Sequence, residues 1–173
     1  MAVNYSDLTP GTAVTWKNTA GDKDIPAKNM ATATAVQGAK SATLVDGTKG
    51  FPELLEITVE TKVQATPTDG KELNLYLGFS NSATIGTDNP GALLGSGATM
   101  GDLDVLPQLA FVGAVVMAGS LSTGLQRQDA FEVAPKKEYF IPVLHNDTGQ
   151  TTSNVDGETS ITVRPWYRRT PIA

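Results

Sequence analysis

The single histidine, His145, stands in "LHND" (Leu144–Asp147) with Asn146 and Asp147 beside it, so the residue types of a His–Asp pair lie within three positions. A hydrolase built on such a pair also needs a nucleophile on a sharp strand-to-helix turn. The nearest match, "GFSNS" (Gly78–Ser82), has Ser82 where the second glycine belongs, and no helical pattern follows it. An isolated histidine at a strand end beside an Asp/Gly turn reads as a hydrogen-bonded structural residue. No catalytic residue is assigned, and the chain is expected not to be an enzyme.

Other chemistries fail on residue type. One histidine and no cysteine cannot supply a zinc site of the usual nitrogen and sulfur kind. Asp102 and Asp104 in "GDLDV" could offer oxygens to calcium, but the acids around a fixed glycine that make a calcium loop are missing. "GTKGF" (Gly47–Phe51) has neither the length nor the Ser/Thr after lysine of a phosphate-cradling loop. Glu56 and Glu60 project on one strand face, the residue types of a glycosidase pair, although their alternation with Thr58 is equally that of a solvated surface. Asn4-Tyr5-Ser6 and Asn146-Asp147-Thr148 match the glycosylation sequon, which carries little weight without a secretory signal. No metal or cofactor is expected.

The charge is distributed unevenly. The chain of 173 residues has a net charge of −5, yet three of its four arginines (Arg164, Arg168, Arg169) crowd the last ten residues around Trp166 and Tyr167. A nucleic-acid domain shows a basic face or an overall basic balance. Three arginines on an acidic body would neutralise few phosphates and bind weakly, so no nucleic-acid partner is expected. The longest apolar run, "LAFVGAVVMAG" (Leu109–Gly119), is far short of the roughly 20 residues that span a bilayer. The opening "MAVNYSDLTP" has neither the basic start nor the apolar stretch of a secretory signal. The expectation is a chain that is neither exported nor membrane-bound.

The elements that would position these residues are strands. In "LLEITVETKV", Leu55, Ile57, Val59 and Val63 alternate with Glu56, Thr58, Glu60 and Lys62. In "ELNLYLGF", Leu73, Leu75, Leu77 and Phe79 alternate with Glu72, Asn74, Tyr76 and Gly78, and "TSITVR" repeats the pattern with Ile161 and Val163. Period two places one face in a core and the other in water, as in antiparallel sheets. Turn dipeptides separate the runs: Asp46-Gly47, Asp69-Gly70, Asn89-Pro90-Gly91 and Asp156-Gly157. Further strands are expected at Thr12–Lys17, Ala31–Val36, Ala42–Val45 and Tyr139–Asn146, the last an edge or bulged strand because Pro142 cannot donate to a ladder. "LAFVGAVVMA" is ambiguous by length, and its valines favour a strand buried on both faces. About eight strands without a long amphipathic helix predict an all-β chain, an antiparallel β-sandwich of the jelly-roll kind.

Two regions break the pattern. Residues 1–30 read as an N-terminal arm or partly irregular segment with one strand near Trp16, and residues 31–173 as the β-sandwich domain. "SNSATIGTDNPGALLGSGATMG" (Ser80–Gly101) reads as a long loop of small residues, suited to contact with a neighbouring chain or to surface elaboration.

Leu54 to Arg169, with "ELNLYLGFSNSATIGTDNPGALLGSG" followed by "APKKEYFIPVLHNDTGQTTSNVDGETSITVRPWYRR", resembles the small jelly-roll head decoration (cement) proteins of tailed bacteriophages. The shared pattern is an alternating strand running into a Ser/Asn/Gly-rich loop, then a Pro/Lys turn, an aromatic–aliphatic strand and an N-D-T-G turn. The resemblance implies a structural virion protein on the outside of the head, assembled in the host cytoplasm, often a homotrimer, whose partner is the major capsid protein. A carbohydrate-binding β-sandwich module and another virion component of the tail or fibre are the alternatives.

Trp, Tyr and Arg are the residue types richest in interface hot spots. Pro165 is expected to end the strand after Val163, freeing the chain from Trp166 onward to form part of an interface through Trp166, Tyr167, Arg168 and Arg169. The competing reading has Trp166 closing its own sandwich and the arginines pairing with local acids.

Overall fold

The alternating runs become strands whose even and odd positions face opposite ways. The structure, a computed structural model, describes residues 7–18 and 21–169. Among these residues ten strands form: β1 (Leu8–Pro10), β2 (Val14–Lys17), β3 (Thr34–Gln37), β4 (Leu54–Thr61), β5 (Glu72–Ser80), β6 (Ala98–Thr99), β7 (Ala110–Val116), β8 (Gln126–Val133), β9 (Tyr139–Asp147) and β10 (Ser160–Arg168). The only helical pieces described are single 3-10 turns such as Pro90–Ala92 and Leu106–Gln108.

All strand pairs are antiparallel, and they make two sheets. The first runs β1-β10-β4-β8, with β2 continuing the β1 edge along β10, and the second runs β6-β3-β9-β5-β7. The pairing is nested: β2 with β10, β3 with β9, β4 with β8 and β5 with β7. The chain is thus paired as one long hairpin folded over itself, and the result is an antiparallel β-sandwich.

The core lies where the inward positions of both sheets meet. Leu55, Ile57 and Val59 of β4, Leu73, Leu75 and Leu77 of β5, Leu144 of β9 and Ile161 of β10 have no exposed surface. Trp16 packs against Phe140 with ring centroids 5.2 Å apart, and its Nε1–H donates to the Ala39 carbonyl at 2.7 Å. Burial of each such side chain stabilises by about 1.5–3 kcal/mol.

Four expectations change. First, Pro142 lies in β9, a central strand between β3 and β5. Its carbonyl accepts from Gly38 N–H at 2.8 Å, so the missing N–H points to the same side, just beyond the end of β3. The proline therefore removes no ladder bond from the β5 side. Second, Pro165 does not end β10, which continues through Trp166 to Arg168. The Pro165 carbonyl accepts from Gly11 N–H at 2.8 Å, and the missing N–H faces the interval between β1 and β2 where the edge chain departs from β10. Third, Ala42–Val45 joins no ladder: Val45 N–H turns to Thr43 Oγ1, and Asp46 Oδ1 gathers the N–H groups of Thr48 and Lys49. Such local side-chain bonds compete with sheet pairing. Fourth, β7 is a strand but sits at a sheet edge, with Phe111 59% and Val116 56% exposed, so it is not buried on both faces.

The described part of the first thirty residues belongs to the sandwich. It supplies β1 and β2, and it buries Leu8, Trp16, Ile25, Ala27 and Met30. The rest of the expected arm, residues 1–6 and 19–20, lies outside the described residues.

The two outer faces differ. Residues 81–109 fold back over the second sheet, where Leu93, Leu106 and Leu109 cover Ala35, Ile141 and Val143 in a second apolar cluster. Gly78 makes this possible: a Cβ there would fall 2.5 Å from Leu93 Cδ1, so Leu93 seats where the alternating strand omits a side chain. The outer face of the first sheet has no such cover from this segment.

Candidate interaction surface

The terminal cluster is divided by strand geometry. Successive residues of β10 point to opposite faces, so Ile161, Val163, Pro165 and Tyr167 are buried while Thr162, Arg164, Trp166 and Arg168 face outward. Tyr167 is a core residue. Its hydroxyl donates to the Leu44 carbonyl at 3.1 Å, and the Lys49 ammonium stands 5.4 Å from its ring centroid. Burial, with the Asp46 carboxylate adding to it, pushes the Tyr167 phenol pKa up.

Trp166 lies half-buried on the outer face, its Nε1–H donating to Glu56 Oε2 at 2.7 Å. Arg168 is exposed, with Nε 3.3 Å from Glu53 Oε1. Arg169 follows the strand and is also exposed; its backbone N–H donates to the Asp7 carbonyl at 2.7 Å. Of the four residues expected at an interface, Trp166, Arg168 and Arg169 reach solvent, and Tyr167 turns inward.

Residues outside the expected interface cluster complete this face. Arg164 stands opposite Glu56, Thr162 opposite Thr58 and Ser160 opposite Glu60. On the other flank of β4, Glu60 pairs with Arg127, whose Nη1 is 3.1 Å from Glu60 Oε1. Glu56, Thr58, Glu60, Arg127, Thr162 and Arg164 line a shallow cleft of about 330 Å³. Sequence alternation marked Glu56, Thr58, Glu60, Thr162 and Arg164 as outward, but not Arg127, and the β10–β4–β8 adjacency that gathers them was not readable from it.

The residues first weighed for chemistry are scattered. His145 is half-buried on the outer side of the second sheet, across from Ala35 and Asn74. Ser80 lies opposite Tyr139, six residues along β9 from His145, or about 20 Å at strand spacing. Glu56 and Glu60 are four residues apart on β4, about 13 Å between Cα atoms, and their carboxylates bond to Trp166 and Arg127 respectively. Asp102 Oδ1 accepts from Asp104 N–H at 2.8 Å, a local turn. Asn146 of the sequon is fully buried, its Nδ2 donating to the carbonyls of Met30 and Gln150. Among the described residues, no group of three His, Cys, Asp or Glu side chains could hold a metal ion, and no helix is long and apolar enough to cross a membrane.

A second cleft, of about 260 Å³, opens at the end of the sandwich between Tyr167, Pro165, Leu44 and Val45, with Asp46 and Lys49 at its rim. The Asp46 carboxyl is held below the usual carboxylate range first by the Thr48 hydroxyl and then by backbone N–H groups. No family model and no curated protein matches the chain.

Proposed function

We propose that this chain is a structural virion protein, a head decoration (cement) protein that seats on the outside of a phage capsid and bridges neighbouring major capsid subunits. The observation that carries this reading is the outer face of the first sheet. There β10 presents Thr162, Arg164, Trp166 and Arg168 in a row, beside the Glu56, Thr58 and Glu60 row of β4. Trp and Arg are the types that dominate binding energy when an interface desolvates them, and a rigid sheet holds them without further ordering cost.

The nested strand pairing supports a jelly roll, since pairing the first strand with the last and working inward is how eight strands make two Greek keys. The sequence resemblance over Leu54–Arg169 points the same way. A homotrimer would present this face three times, and repetition raises the effective concentration of the second and third contacts. A protein that binds the expanded shell preferentially stabilises it by mass action. The partners in this reading are the major capsid protein and further copies of the chain, at the virion surface, with no cofactor, nucleic acid or membrane.

The test is co-sedimentation with purified expanded and unexpanded heads. Preferential attachment to expanded heads is expected, and attachment to neither would overturn the reading. A carbohydrate-binding face is the second reading, favoured by Trp166 standing in the same outward row as the Thr162 hydroxyl. A glycan array that stays blank removes it.

A further inference from the structure

Lys40 is 5% exposed, and its ammonium ends inside the segment that follows β5. Its Nζ lies 3.1 Å from Ser80 Oγ, 2.9 Å from the Ser82 carbonyl, 2.9 Å from the Thr84 carbonyl and 3.1 Å from the Thr87 carbonyl. Three of these acceptors are carbonyls of one short loop, and a carbonyl cannot donate in return. A neutral amine would turn a lone pair toward an oxygen, whereas an ammonium offers donors only.

The rest of the loop is tied to the same point. The Lys40 backbone N–H donates to the Gly95 carbonyl at 2.8 Å, and Gln37 Oε1 accepts from the N–H groups of Leu94 and Gly95. Gly95, at φ +75°, permits this closure, because a Cβ there would come within 3.3 Å of Lys40 Cε. Asp88 shuts the turn from outside by accepting from Asn81 N–H at 2.7 Å.

In potassium-channel filters, rings of backbone carbonyls replace the hydration shell of a potassium-sized ion. We propose that Ser80, Ser82, Thr84 and Thr87 build a monovalent-cation site that the chain fills with its own Lys40 ammonium, and that this tethered ion templates the 80–97 loop. The site takes a cation of ammonium or potassium size, and it stands whatever partner meets the outer face of the other sheet.

The test uses Lys40→Ala, which opens the cage to ions from solution. In sodium chloride, proteolysis within residues 81–97 should rise about tenfold over the native protein. Ammonium or potassium chloride at the same ionic strength should restore protection, and lithium chloride should not. Lys40→Met, which leaves an apolar side chain in the cage, should lose protection without rescue. An unchanged cleavage rate in Lys40→Ala, rescue by no cation, or equal rescue by all of them would overturn the proposal. If Lys40→Ala does not fold, isotope-labelled lysine in the native protein provides the reading. A Lys40 ammonium proton signal that exchanges more slowly than those of exposed lysines, and faster in Ser80→Ala, supports the cage; exchange as fast as that of exposed lysines overturns it.

Discussion

Adjacent residues of β10 have opposite roles because a strand turns each side chain away from the last. Tyr167 closes the sandwich, and Tyr167→Phe should cost about 1 kcal/mol by removing the donor to the Leu44 carbonyl; the shift in urea midpoint measures it. Arg164, Arg168 and Arg169 are exposed, and exposed ion pairs such as Arg168–Glu53 contribute little. The triple substitution Arg164→Ala, Arg168→Ala, Arg169→Ala should move stability by no more than about 0.5 kcal/mol. It should nevertheless weaken attachment to expanded heads. Unchanged attachment with an intact fold would remove these arginines from the interface.

At the scale of elements, the loop after β5 and the strand beneath it were made for each other. Gly78→Leu should cost about 1–3 kcal/mol, because the added side chain meets Leu93 in a filled cluster, and thermal unfolding would register it. The same loop should respond to acid. Asp88 is held below the usual carboxylate range first by Asn81 N–H and then by Lys137. A carboxyl whose folded pKa lies below its unfolded value stabilises above about pH 4 and loses that contribution as pH falls through the folded value. Amide exchange protection of Asn81 should therefore hold from neutrality to about pH 4 and decline below it. Protection that declines already near pH 6 would assign the closure to another group.

For the whole molecule, the asymmetry of its faces matters most. One sheet carries a folded-back cover with its own apolar cluster, and the other presents polar and charged rows from three adjacent strands. The shared core holds both in place. Leu75→Ala, at a fully buried centre of β5, should cost about 2–5 kcal/mol in chemical denaturation. Sedimentation of the free protein should report a trimer; a monomer at working concentration would confine any threefold arrangement to the capsid surface.

Period-two alternation was enough to identify β4, β5 and β10, to place Leu55, Ile57, Leu75 and Ile161 inward, and to predict the all-β sandwich. Within β10 it reached only as far as Arg164; the expected break at Pro165 grouped Tyr167 with Trp166 and Arg168, and the structure separates them by continuing the alternation to Arg168. Alternation is local and survives in the chain as written. Whether Pro142 and Pro165 interrupt a ladder depends on which side of the strand their missing N–H faces, and that depends on where β3 and β2 stop. The company Glu56, Arg127 and Arg164 keep, and the capture of Lys40 by carbonyls more than forty residues away, likewise arise only when distant strands pair. Long-range adjacency has no signature in a single sequence, so tertiary structure alone brought these groups together.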